Sequence, residues 1–142
     1  MDRNLMLYPL FAMVTLTALV WGWMYVARIR EIRTKRIPVQ MLADRTRAAQ
    51  ALKDVAGPSD NLINLFELPV LFYVVMIVLY VTGRGDEVYL TMAWAYVLLR
   101  AAHSFIHCTY NRVIHRFSVY MLSGVALWAM WARLALQFLS AA

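Results

Sequence analysis

Leu5 to Ala27 holds no charged residue. At a rise of about 1.5 Å per residue, a helix of that length crosses a hydrocarbon core of roughly 30 Å. A run this apolar limits the chain to structures that satisfy every backbone polar group within the segment, which in lipid means a helix. It is too long for a signal-peptide apolar region, lacks a strongly basic leader and shows no small-residue cleavage pattern before Arg28, so it is expected to be retained. Pro9 falls in the first turns, where a missing N–H is tolerated. Three further apolar stretches follow, Asn61 to Thr82, Val88 to about Tyr110 and Phe117 to about Leu139. With 63% hydrophobic and 15% charged residues, a soluble domain is excluded. The expected fold is all-α: one integral membrane four-helix bundle over residues 1–142, up-down in topology, with spans of about 5–27, 61–82, 88–110 and 117–139.

Orientation follows from where Lys and Arg fall. Arg28, Arg30, Arg33, Lys35, Arg36, Arg45, Arg47 and Lys53 lie in the loop of residues 28–58, and Arg112 and Arg116 lie in the third connection. Only Arg3 and Arg84 lie on the other side. Loop 28–58 is therefore expected to be cytoplasmic and both termini outside. The net charge of +6 is read as a topology signal and an attraction for anionic membrane lipids, not as a nucleic-acid site, because no soluble basic module accompanies it. Within the loop, helix one is interrupted at Pro38. "MLADRTRAAQALKDV" suits a short amphipathic helix, and "AGPSD" supplies a stop, a proline and a Ser or Asp cap for the second span. "TGRGDE" reads as a tight turn that makes spans two and three antiparallel neighbours.

Charged side chains inside spans face other helices, because charge facing lipid is costly. Asp60, Asn64 and Glu67 form one helical stripe; Tyr96, Arg100, His103, His107 and Tyr110 form a second; Arg116 and Tyr120 head the fourth span. Counted from the cytoplasmic side, Glu67 lies about 12 Å deep and Arg100 about 15 Å. The stripes thus converge on a shared polar pocket, with Glu67 and Arg100 expected as a buried pair, an arrangement that a purely structural bundle would also use. His103 and His107 could ligate a metal or haem, but no strong ligand cluster accompanies them and no metal is expected. Cys108 stands alone, which excludes an intrachain disulfide and a cysteine-based metal cluster.

"NLFELPVLFY" (Asn64 to Tyr73) and "LLRAAHSFIHCTYNRVIHRFSVY" (Leu98 to Tyr120) resemble the membrane-associated proteins in eicosanoid and glutathione metabolism, the MAPEG family, and most nearly its bacterial members. The resemblance implies a homotrimer in a bacterial inner membrane, with glutathione as co-substrate bound between subunits near the cytoplasmic side. It implies that Asn64 and Glu67 contact glutathione from helix two and Arg28 from the end of helix one. It further implies that His103 and Tyr120 line the pocket, and that Arg116 stabilises the thiolate. His107 stands where several members have Tyr. Ile63 replaces a common glutathione-binding Arg and Val70 a Tyr, departures that bear on tripeptide affinity.

Independently of the name, a thiol with a pKa near 8.5 is converted to its nucleophilic thiolate by cationic neighbours. Arg116 could do this, while Arg28, Arg100 and Arg112 could pair with a tripeptide's carboxylates and Glu67 with its amino group. The leading expectation is a membrane glutathione transferase or peroxidase acting on a lipophilic small-molecule electrophile that arrives from the bilayer. A second class is a non-enzymatic lipid-binding or scaffold protein of the same fold, favoured by Ile63 and Val70. A third is a small proton-coupled efflux protein using Glu67, against which the clustered arginines argue.

Overall fold

The computed structural model describes residues 2–140, so the terminal residues to which the charge count assigns an outer location lie outside the described residues. A 3₁₀ turn, Arg3–Met6, leads into α1 (Leu7–Lys35). The loop of residues 36–55 then carries a 3₁₀ turn (Val39–Ala43), the short helix α2 (Arg45–Ala51) and another 3₁₀ turn (Lys53–Val55). Four helices follow: α3 (Ala56–Leu65), α4 (Leu68–Thr82), α5 (Glu87–Cys108) and α6 (Val113–Leu139). Among the described residues there is no strand, and five helices, not the expected four, reach ten residues or more. Three helical stretches, Arg3–Lys35, Lys53–Thr82 and Val113–Leu139, are long and apolar enough to cross a membrane. α5 is not among them, because one side of it carries Arg100, His103 and His107, all of which are buried within the bundle.

The fifth helix arises from a break in the expected second span. Pro69 has no N–H to give to the carbonyl of Leu65, and its ring clashes with a helical turn before it. The chain leaves helical geometry at Glu67 (φ −96°, ψ −107°) and restarts with Pro69 in the first turn of α4. The break leaves α3 ending in carbonyls that no following N–H can satisfy, at a depth where water is scarce. Arg100 supplies one of the missing donors: its Nη2 donates to the carbonyl oxygen of Asn64 at 2.7 Å. That contact corrects the expected Glu67–Arg100 pair. Glu67 is exposed at the break, while Arg100 has 0% exposure and pairs with no carboxylate among the described residues. The negative end of α3 takes the place of the acid.

The expected Ser or Asp cap for the second span is likewise absent: Ser59 and Asp60 lie inside α3, which starts at Ala56 with no side-chain cap at Val55. The other helix ends follow their local chemistry. α1 ends at Arg36 in the left-handed conformation, two residues before Pro38. Asp44 caps α2 by accepting from the Arg47 N–H at 2.8 Å. α4 stops at Gly83 (φ 67°), and Asp86 caps α5 by accepting from the Tyr89 N–H at 3.0 Å.

The core runs along the bundle axis, with Met13, Phe72, Met76, Leu79, Tyr96 and Leu127 fully enclosed. Phe72 of α4 stacks on Tyr96 of α5 at 4.5 Å between centroids. The outer surface is apolar, with Leu19, Val81, Leu98, Val125 and Leu136 all exposed, as lipid-facing positions require. At the end of the bundle away from loop 28–58, Arg133 of α6 grips Asp86 with two parallel bonds of 2.7 and 2.6 Å. Its guanidinium also lies 4.3 Å from the Tyr89 ring centroid. The Tyr89 hydroxyl in turn donates to Gln137 Oε1 at 3.0 Å. The turn between α4 and α5 is thereby fastened to α6.

Two predictions follow from these fastenings. The guanidinium of Arg133 holds the Asp86 carboxyl down to about 2, below its ordinary 3.8. Because the folded value is depressed, the pair stabilises the fold above about pH 4 and its contribution disappears as pH falls toward 2. Asp86→Asn should lower the thermal midpoint in detergent by about 2–4 °C at pH 7. Between pH 4 and 2 the wild type should lose stability faster than the variant; parallel curves would show that the pair contributes nothing. Removal of Arg100 leaves the Asn64 carbonyl buried without a donor, so Arg100→Ala should destabilise by about 2–5 kcal/mol. Glu67→Ala should cost less than about 1 kcal/mol, since Glu67 is exposed. Unfolding of both variants in a graded SDS series checks the order, and a larger loss from Glu67→Ala would restore the carboxylate pair.

Candidate functional site

The polar stripe of α5 is held where α3 and the head of α6 meet it. Gly57 sets the α3 approach: a Cβ there would lie 2.8 Å from the carbonyl oxygen of His107, closer than a methyl group can come to backbone. Glycine therefore lets the first turn of α3 rest on the last turn of α5. Asn61 and Asn64 then face α5. Asn61 donates to Cys108 Sγ at 3.5 Å and accepts from Ser104 Oγ at 3.4 Å.

The turn from α5 to α6 provides the second wall. Asn111 takes the left-handed conformation (φ 48°), which asparagine tolerates better than most residues, and its N–H closes back to the Ile106 carbonyl at 2.8 Å. That geometry turns the Asn111 side chain onto α6, where its Oδ1 accepts from Arg116 Nη1 at 2.7 Å. The same Nη1 donates to His107 Nε2 at 2.8 Å. A guanidinium only donates, so Nε2 must carry a lone pair, the ring proton sits on Nδ1, and His107 is neutral. Asn64 Nδ2 lies 3.5 Å from that Nδ1, and with the proton there the amide bonds it only when turned to present its oxygen. His103 donates from Nδ1 to the Arg116 carbonyl at 3.0 Å. The Tyr120 ring lies 5.6 Å from the His103 ring and 5.3 Å from the Arg100 guanidinium carbon.

One connected cluster thus joins Asn64, Arg100, His103, His107, Arg116 and Tyr120, six of the nine residues expected at the site. The other three lie elsewhere in the single chain. Arg112 is exposed at the start of α6, and Glu67 is exposed at the break. Arg28 lines a cleft of about 650 Å³ formed by the end of α1, α2 and α3, together with Asp60 and Ile63. The stripe of Asp60, Asn64 and Glu67 is therefore divided: Asp60 turns to the cleft, Asn64 to the cluster, and Glu67 lies past the broken turn. Tyr110, expected on the α5 stripe, is beyond the helix end and exposed, with its hydroxyl 3.3 Å from His115 Nδ1.

Asn61, Ser104 and Asn111 belong to the cluster but were not singled out from the sequence. Asn111 had a readable signal, an asparagine just after an apolar helix and five residues before an arginine. Asn61 lies one turn before Asn64, where the apolar residues around it hide it.

The cluster is positive, and no carboxylate forms an ion pair within it among the described residues. Among the described residues, ion pairs join Lys35 to Glu31 and Asp54, and Arg133 to Asp86; none involves Arg100 or Arg116. Arg100 Nε and Nη1 and His103 Nε2 are buried without partners. Among the described residues no three His, Cys, Asp or Glu side chains gather as a metal site, and both nitrogens of His107 are already engaged. Arginines oriented by neutral acceptors keep their full charge for an anion.

The MAPEG family model matches residues 6–136, nearly the whole chain. No curated protein and no solved structure matches it. That match spans every helix that builds the cluster, and the chain, an integral membrane protein by its apolar helices, belongs to the MAPEG family.

Proposed function

We propose that this protein uses a small thiol, glutathione by family analogy, to attack a lipophilic electrophile or peroxide at the cytoplasmic end of the bundle. The observation that carries the reading is the Arg116 guanidinium. It is oriented by Asn111 Oδ1 and His107 Nε2, both neutral, and no carboxylate pairs with it among the described residues. A thiol brought against it loses its proton more readily, because the thiolate gains an ion pair that the thiol lacks. Arg116 stays charged throughout, so it stabilises the thiolate without having to accept its proton. The thiolate sulfur then forms a bond to the electrophile as the leaving group departs. Arg100, 0% exposed behind Tyr120, adds positive potential to the same region.

A tripeptide also needs partners for its ends. Within one chain Arg28 opens into a cleft on the other face of α3, and Glu67 and Arg112 are exposed. A homotrimer, in which a neighbouring copy packs against Glu67 and Arg112, would complete the site. The exposed apolar face of α4, including Val70, Val74 and Ile77, gives such a contact a surface. A bacterial inner membrane with loop 28–58 cytoplasmic would give the site access to a reduced thiol pool. The second reading, a lipid-binding protein without catalysis, is favoured by Ile63 at 62% and Val70 at 44% exposure, apolar surface where relatives place Arg and Tyr. The efflux reading loses support, since it needs a buried acid and Glu67 is exposed.

Arg116→Ala should slow glutathione transfer to a chromogenic lipophilic electrophile by about tenfold to a thousandfold. The bound thiol's midpoint should return toward about 8.5. Arg116→Lys should fall between, since it keeps the charge and loses the planar fork. Turnover and an ultraviolet thiolate titration, each with a size analysis of the variant, read this directly. Equal thiolate in wild type and Arg116→Ala at one pH would remove Arg116 from the chemistry. Absence of any glutathione binding by the wild type in nanodiscs would select the lipid-binding reading instead.

A further inference from the structure

The cleft of about 650 Å³ between the end of α1, α2 and α3 lies on the face of α3 opposite the Arg116 cluster. Its walls are mostly apolar, with Ile29, Ile32, Leu52 and Ile63 among them, yet two guanidiniums, Arg28 and Arg45, open into it. Neither arginine has an ion pair among the described residues, and the cleft's one acid is Asp60. The loop is held over the cleft by Lys35, whose Nζ donates to Asp54 Oδ2 at 2.7 Å and so ties the end of α1 to the turn before α3. Val26 and Ile29, both exposed on the lipid-facing side of α1, lead from the bilayer into it.

A wholly apolar occupant would leave two guanidiniums facing hydrocarbon, which is costly. A soluble anion would leave the apolar walls wet. An amphiphile with an anionic head satisfies both surfaces, because guanidinium matches phosphate oxygens in a forked geometry while acyl carbons cover the isoleucines. We infer that the cleft between α1, α2 and α3 binds one anionic phospholipid of the leaflet that faces loop 28–58, its phosphate on Arg28 and Arg45 and an acyl chain along Ile29, Ile32 and Ile63. Ile63 has a direct part in this: an apolar side chain continues the chain-binding wall where an arginine would interrupt it. Such a lipid would pin α2 to the bundle at the membrane surface, in keeping with the attraction of basic segments for the anionic leaflet.

The test uses the full chain, delipidated in detergent, and native mass spectrometry with phosphatidylglycerol or phosphatidylcholine of the same acyl chains. The expected result is saturable retention of one phosphatidylglycerol per chain, about tenfold tighter than phosphatidylcholine. Arg45→Gln should weaken it about fivefold to tenfold and Arg45→Lys should restore much of it. Arg45 is exposed on α2, so both variants should keep wild-type helix content and size. The water-soluble headgroup glycerophosphoglycerol should compete poorly, since it has no acyl chain for the cleft. Equal affinity for the two lipids, binding unchanged in Arg45→Gln, or full competition by the soluble headgroup would each overturn the inference. So would a cleft closed by a second copy, seen as an oligomer that retains no lipid. Thiolate formation at Arg116 should be unchanged in Arg45→Gln, so failure of the lipid site and failure of the thiol site are separately visible.

Discussion

The bond from Arg100 to the Asn64 carbonyl is the constraint around which the half of this bundle nearest loop 28–58 is arranged. Its cause is a proline. Pro69 cannot donate to the turn before it, so the second membrane segment must break, and a broken helix in lipid leaves carbonyls that water does not reach. An arginine can fill that role from a neighbouring helix, because its charge suits the negative end of α3. Once Arg100 is anchored there, the rotation of α5 about its axis is fixed. His103 and His107, on the same stripe, are then presented to the head of α6, and Gly57 permits the close approach that completes the contact.

That solution has an electrostatic consequence. Had Arg100 been neutralised by Glu67, the interior would carry no net charge and Arg116 would be the sole cation of the region. With a peptide dipole as its partner, Arg100 keeps most of its charge, and Arg116 keeps its own between Asn111 and His107. The opposite end of the bundle is built the other way: Asp86 and Arg133 cancel one another in a forked pair. One end is closed by opposite charges and the other stays positive. Only the second can lower the pKa of a thiol, and this asymmetry is the physical argument behind the proposed thiol chemistry at the end nearest loop 28–58.

Much of this was legible in the sequence, and the failures have identifiable causes. Apolar runs located the three helical stretches long and apolar enough to cross a membrane, and period-3.6 spacing put Tyr96, Arg100, His103 and His107 on one buried face, because charge in lipid must face inward whatever the neighbours are. Depth counting matched Glu67 to Arg100. It failed for Glu67 because it assumed an unbroken helix: depth says how far a residue lies from the surface, not which way it faces. Pro69 stood in the quoted motif and was enough to signal the break. Asn111 and Gly57 act through backbone conformation and close approach, which no stripe of polar residues reveals.

The same break explains how α3 can face two ways. Ten residues make fewer than three turns, too few to cross the membrane, so α3 is held by what packs on its sides. Asn61 and Asn64 look toward α5, while Ser59, Asp60 and Ile63 look toward the cleft under α2. Successive residues turn by about 100°, so positions three or four apart share a face and adjacent ones do not. A change at Ile63 therefore alters the cleft with little effect on the bonds that orient His107 and Arg116. Apolar replacement on one face of α3 can change the lining of the cleft under α2 while the cationic cluster on the other face stays intact. The absence of an arginine at Ile63 thus bears on how a tripeptide would be held, and not on whether a thiolate could be stabilised.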